Sequence, residues 1–195
     1  MMNLQRYDVI DGDLLDRAWD LYERAFDDLR AAAVQRHLMT RAEFRDVAAD
    51  PRVTKLVTYD GSALTSVATM TRDLGSMPLI SPEYFAKRWP ALYAERRVFY
   101  IGFVAVDPDY HGTGVFWHLV ESMSREVGAA GGVAVLDVCS RNNAVFKLPA
   151  AVERIAQSVN SEVSRQRLDE QVYWAYEFPP VPAQRTRPAR ARVRR

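Results

Sequence analysis

Hydrophobic positions recur along this chain with two different periods. Between Leu15 and Leu29 the apolar side chains Leu15, Ala18, Trp19, Tyr22, Ala25, Phe26 and Leu29 fall every three or four residues. Asp16, Asp20, Glu23, Arg24, Asp27 and Asp28 fill the other side, which predicts an amphipathic helix entered from Asp13 as its N-cap. A second helix is predicted from Thr40, because Thr40-Arg41-Ala42-Glu43 has the capping-box pattern, and it ends at Asp50-Pro51. Strands are predicted at 5–11, 53–59 and 63–72. The last two are joined by Asp60-Gly61-Ser62, a hairpin signal in which glycine supplies the positive φ of the turn. Residues 73–97 are broken by Pro78, Pro82 and Pro90 around a short predicted helix at 83–89. Tyr84, Phe85, Trp89 and Tyr93 make this insertion too aromatic for a solvated loop, so it is expected to pack over something, a lid over a pocket being one form.

The most informative stretch is Val98–Val127. Phe99, Tyr100, Ile101, Phe103, Val104 and Val106 predict a central strand buried on both faces. A proline turn and Gly112-Thr113-Gly114 follow, then a helix with the stripe Phe116, Leu119, Val120, Met123 and Val127 and Gly128 as its C-terminal cap. Gly131-Gly132 leads into a buried strand at 133–139 that ends on Cys139 as a small core side chain. Ser140–Asn143 caps a helix carrying Val145, Phe146 and Leu148, which Pro149 either kinks or restarts. A last strand is predicted in 171–178 (QVYWAYEF), where apolar residues alternate. This order gives an α/β fold, a mixed central sheet with helices on both faces, in a single domain over 1–180 with a right-handed crossover at 98–139.

Composition narrows the function classes. Hydrophobic residues make up 48% and charged residues 26%, the balance of a globular domain. Formal net charge is +1, yet six arginines crowd between Arg185 and Arg195, so the body is mildly acidic and the 181–195 tail strongly basic. That tail is expected to be disordered, and without interleaved aromatics it makes a poor nucleic-acid surface. One cysteine excludes an internal disulfide and any Cys-based zinc cluster. No run approaches a membrane span, and the opening residues lack the apolar core of a signal peptide. A cytoplasmic protein is the resulting expectation.

A strand feeding a helix through a glycine-rich turn aims free backbone N–H groups and the positive helix end at one point, which suits a phosphate. In full, the stretch resembles the GNAT superfamily of acyl-CoA-dependent N-acyltransferases. Val106-Asp107-Pro108, then His111-Gly112-Thr113-Gly114-Val115-Phe116, then Leu119 follow that family's Arg/Gln-x-x-Gly-x-Gly/Ala pattern, with His111 and Phe116 in place of its usual residues. The resemblance implies a GNAT-like fold and, as co-substrate, acetyl-CoA or another acyl-CoA. It implies the pyrophosphate on His111, Gly112, Thr113, Gly114, Val115 and Phe116, and the pantetheine beside Phe103, Val104, Ala105 and Val106. Asn142 takes the place of the asparagine that opens the next helix. The family's tyrosine acid has no counterpart, since Leu148 and Pro149 occupy its register. Tyr100 and Asp137 are the candidate catalytic residues and Glu121 a further candidate base, all near the expected cleft. The acceptor would be a small-molecule or protein amine, and a homodimer is compatible. The alternative is a GNAT-like binding or interaction module that has lost catalysis, which the Phe116 and tyrosine substitutions suggest.

Overall fold

A computed structural model of the chain describes residues 2–32, 38–78 and 80–178. Five strands form one sheet: β1 (Met2–Tyr7), β2 (Val53–Asp60), β3 (Ala63–Thr71), β4 (Val98–Val106) and β5 (Val133–Leu136), side by side in chain order. The first four are antiparallel neighbours, and β5 joins β4 in parallel. Helices α1 (Gly12–Phe26) and α3 (Arg41–Ala49) cover one face, with a short α2 (Leu29–Ala32) between them. Helices α6 (Val115–Ala129) and α8 (Leu148–Val159) cover the other. The insertion folds as α4 (Pro82–Arg88) and α5 (Pro90–Ala94), and α7 (Ser140–Ala144) precedes α8.

Strand alternation sorts the core into two layers. Val67 and Ala105 join Trp19, Tyr22 and Phe44 under α1 and α3, while Ala68, Phe99 and Ile101 join Leu119, Val120, Met123 and Ile155 under α6 and α8. Aromatic rings knit the first layer, with Tyr22 4.8 Å from Phe103 and 5.1 Å from Phe44. A third cluster closes one end of the sheet. There Met77 and Phe85, with Trp89 and Tyr93, pack on Val98, Tyr100, Val133 and Val135, so the aromatic insertion is core and not a cover over empty space.

The capping box at Thr40 forms as expected, Thr40 accepting from the Glu43 N–H while Glu43 accepts from Thr40. Elsewhere the boundaries move. The first strand lies at 2–7 instead of 5–11, and α6 runs through Gly128 so that Gly131, at φ +57°, takes the left-handed position. Pro149 sits in the first turn of α8, where its missing N–H costs nothing, so the helix restarts there. The strand expected at 133–139 stops at Leu136, and Cys139 is a half-buried N-cap of α7. The expected last strand is absent: 171–178 has no secondary structure and is exposed throughout, because its alternating pattern meets no partner strand. The tail at 181–195 lies outside the described residues.

Lys55 on β2 is buried, its ammonium donating to the backbone carbonyls of Asp8 (2.8 Å) and Asp50 (2.7 Å). It ties the end of β1 to the end of α3. Burial pulls its pKa down from 10.5 to about 8, against the partial support of Asp50 and Asp8. The unfolded chain therefore binds the extra proton between those values, so stability is lowest below pH 8 and rises as pH climbs toward 10.5. Tyr59, raised from 10.0 to about 12 chiefly by burial, acts oppositely, its contribution being lost as pH passes from 10 to 12. Thermal melts should thus show the transition temperature rising from pH 7.5 to 9.5, and a Lys55→Met variant should flatten that slope. An unchanged slope in the variant would remove Lys55 as its source.

Candidate functional site

The site begins where two neighbouring strands part. β4 and β5 are paired only from Val98↔Val133 to Ile101↔Leu136, so Gly102–Val106 continue with no neighbour on the β5 side. The divergence has a local cause. On the other side β4 slips against β3 between Thr69 and Met70, because Gly102 is an extra residue opposite them. Such a bulge bends and twists its strand. Only glycine fits there: a Cβ on Gly102 would stand 2.6 Å from Thr69 Oγ1 and 2.9 Å from Met77 Cε. Past the bulge the Asp107 N–H donates to Thr65 O at 2.9 Å, toward β3. Strand alternation then turns the peptide groups of Val104 and Val106 to the open edge.

The open edge leads straight into the turn. Asp107 is buried; its carboxylate accepts from the Asp109 N–H at 3.1 Å and pairs with Arg24 of α1 at 2.6 Å. A one-turn helix, Pro108–Tyr110, follows, and Thr113 spends both its N–H and its hydroxyl on Tyr110 O. Gly112 (φ +78°) and Gly114 (φ +89°) hold left-handed conformations that side chains disfavour. Gly114 is the N-cap of α6, and the His118 N–H already uses its carbonyl. The N–H groups of Val115, Phe116 and Trp117 therefore have no acceptor within the helix. They converge beside the end of the open strand edge, at the positive end of a 15-residue helix. A phosphate with an extended arm fits that arrangement, phosphate on the turn and arm along the edge.

At the other end of the divergence, the Tyr100 hydroxyl donates to Asp137 Oδ1 at 2.5 Å. Tyr100 is buried on β4, whereas Asp137 is exposed just past β5. Burial, then the charge of Asp137 and the hydrogen bond to it, push Tyr100 far above its ordinary range, so it stays a hydrogen-bond donor. The result is an accessible carboxylate oriented by a fixed phenol, at the fork of the two strands.

No family model matches the sequence, and no curated protein matches it. Solved structures do share its architecture. The ribosomal-protein-S18-alanine N-acetyltransferase from Escherichia coli aligns at a TM-score of 0.51 and 16% identity, over 78% of this chain and 76% of its own. A GCN5-related N-acetyltransferase from Ralstonia eutropha gives 0.51 at 14% identity, over 88% and 99%. AAC(6')-Iy, in complex with the bisubstrate analogue CoA-S-monomethyl-acetylneamine, gives 0.52 at 11% identity, over 91% and 99%. The chain has the GNAT N-acetyltransferase fold.

On this GNAT frame the sequence-derived residues divide into two kinds. Phe103, Ala105 and Val115 point their side chains into the core, so only their backbone is open to any ligand. His111, Gly112 and Thr113 are exposed on the turn, and Asn142 is half-buried on α7. Phe116 is half-buried and packs, like Val104, against the cluster beneath α6; its bulk is taken up on the core side while its N–H remains at the helix start. Glu121 binds Arg125 at 2.6 Å along α6, as a solvated helix pair. The Asp107–Arg24 pair was not foreseen, because 83 residues separate its members.

A cavity of about 580 Å³ lies elsewhere, near the start of β4, lined by Arg52, Arg72, Asp73, Arg96, Phe99 and Glu126. Its charges are spent on one another: Arg96 meets Asp73 at 3.1 Å, and Arg72 meets Glu126 at 3.4 Å while lying over the Phe99 ring. Among the described residues, no cluster of His, Cys, Asp or Glu is placed to hold a metal ion, and no helix is long and apolar enough to cross a membrane.

Proposed function

We propose that this protein is an acyl-CoA-dependent N-acyltransferase, most simply an N-acetyltransferase acting on a small-molecule or protein amine. The observation that carries this reading is the continuity of the open β4 edge with the donor-rich turn at Gly112–Phe116. Those two features together suit an extended pantetheine and the pyrophosphate that follows it. Solved relatives in the fold act on an amine of a ribosomal protein or, judging by the bisubstrate analogue, bind CoA joined to an aminoglycoside fragment. The acyl thioester supplies the activated carbonyl.

The chain's own residues supply position and proton handling. Val104 and Val106 offer N–H and C=O groups to the pantetheine amides, and the Gly112–Phe116 backbone offers donors to the phosphates. Asp137 takes the proton from the amine as its nitrogen bonds to the thioester carbon, and the carbon–sulfur bond then breaks. Tyr100 holds the carboxylate by donating to one oxygen, leaving the other for the amine. Holding both reactants in one fork supplies the remaining advantage through orientation.

Calorimetry with acetyl-CoA tests the reading directly. Wild-type protein should bind, and Gly114→Val, whose side chain disfavours φ +89°, should weaken binding by about tenfold or more, the equivalent of ~1.4 kcal/mol. Wild-type protein that binds no acyl-CoA of any chain length would sink the proposal. Binding without turnover over a broad amine panel would instead favour the inactive-module alternative, for which the missing tyrosine on α8 is the motivating observation.

A further inference from the structure

The sheet has two edges, and they are defended unequally. β1 presents Asn3, Gln5 and Arg6, polar side chains that discourage pairing with another chain. β5 is Val133-Ala134-Val135-Leu136, with no charge and no proline, and among the described residues no strand pairs with its outer side. A bare apolar edge strand in a folded protein calls for a cover.

The same chain carries an unpaired strand. In 171–178, Val172, Trp174, Tyr176 and Phe178 alternate with Gln171, Tyr173, Ala175 and Glu177, giving one face of four large apolar side chains. Those four are 62%, 79%, 78% and 90% exposed. Exposed aromatic surface of this extent on one short segment marks an interaction site. The arm also starts in the right place, since Leu168 packs against the cluster that contains Val133 and Val135 of β5. Beyond Leu168 it leaves the body and makes no use of its own β5 edge.

We propose that the occupant of the β5 edge is the 171–178 arm of a second copy of this chain, exchanged reciprocally in a homodimer. Strand addition satisfies the edge's peptide groups through backbone hydrogen bonds, while the Val172–Phe178 face covers apolar surface on the partner. An isologous exchange uses the same edge and the same arm twice, so one two-fold axis closes the assembly and leaves no further edge to grow from. The area suffices. Buried aromatic side chains remove about 150–250 Å² each, so the Trp174, Tyr176 and Phe178 rings of two arms bury roughly 900 Å² or more. The surfaces they cover contribute about as much again, above the ~1,200 Å² of a stable interface.

Light scattering on the full chain at tens of micromolar should give the mass of a dimer, with Trp174 shielded from acrylamide quenching. Its signal is isolated by difference from a Trp174→Phe variant. The double variant Trp174→Asp, Tyr176→Asp should run as a monomer with unchanged far-UV circular dichroism. Excess synthetic peptide spanning 169–178 should also convert wild-type dimer to monomer, a readout that needs no variant to fold. A monomeric wild-type chain overturns the proposal, whether Trp174 is quenched freely or is shielded on its own β5 edge. A dimer that survives both the double substitution and the peptide overturns it too, since another surface would then hold the copies together. CoA binding is not needed for any of these outcomes.

Discussion

Asp137→Asn is expected to lower kcat by about 100-fold or more with the best amine acceptor, while the acetyl-CoA dissociation constant stays within a factor of about two. Asparagine keeps the shape of aspartate and can still accept the Tyr100 hydrogen bond, now 2.5 Å. What it loses is the capacity to take a proton from the attacking amine. Asp137 is exposed at the fork between β4 and β5, where an amine approaching a thioester along the open edge would arrive. Tyr100→Phe should cost less, about tenfold, because it removes one positioning hydrogen bond and leaves the carboxylate. The measurement is release of free CoA thiol under saturating acetyl-CoA. If Asp137→Asn turned over at the wild-type rate, proton removal would have to pass to water or to another group.

Gly102→Ala should destabilise the fold by about 2–4 kcal/mol, and lower the transition temperature by roughly 6–12 °C for a chain of this size. The added Cβ would lie 2.6 Å from Thr69 Oγ1, and Thr69 is buried with nowhere to move. Thr69 Oγ1 also accepts from the Phe103 N–H at 3.2 Å, so rotating it away strands a buried donor. The bulge at Gly102 is what separates β4 from β5. The variant should therefore lose acetyl-CoA affinity even at temperatures where it remains folded. A melt indistinguishable from wild type would show that β4 can relax around the methyl group.

These two positions differ in how far the sequence announced them. The apolar run of β4, the Gly112–Gly114 turn and the α6 stripe were legible because each is local: period, cap and glycine lie within a few residues. Gly102 gave no signal, since its role depends on Thr69 and Met77 across the sheet, and a bulge is a property of pairing. Asp137 was legible only as an acid near the cleft; its link to Tyr100 spans 37 residues. β1 was placed late because Asn3 and Gln5 sit at the edge, where polar residues hide a strand's period. In 171–178 the alternation was real and the strand was not, because a strand exists only against a neighbour.

The burial of Lys55 has a consequence for the chain's own chemistry. The sequence holds three lysines, Lys55, Lys87 and Lys147, among 26 basic residues. Lys87 and Lys147 are exposed, while Lys55 is sealed and both its recorded partners are carbonyl oxygens. Arginine stays protonated and is no nucleophile at neutral pH. A protein that carried activated thioesters would otherwise offer its surface to them as a target. This one exposes two lysine amines, so self-acylation of its side chains is confined to Lys87 and Lys147, and the lysine that clamps β1 to α3 stays chemically intact.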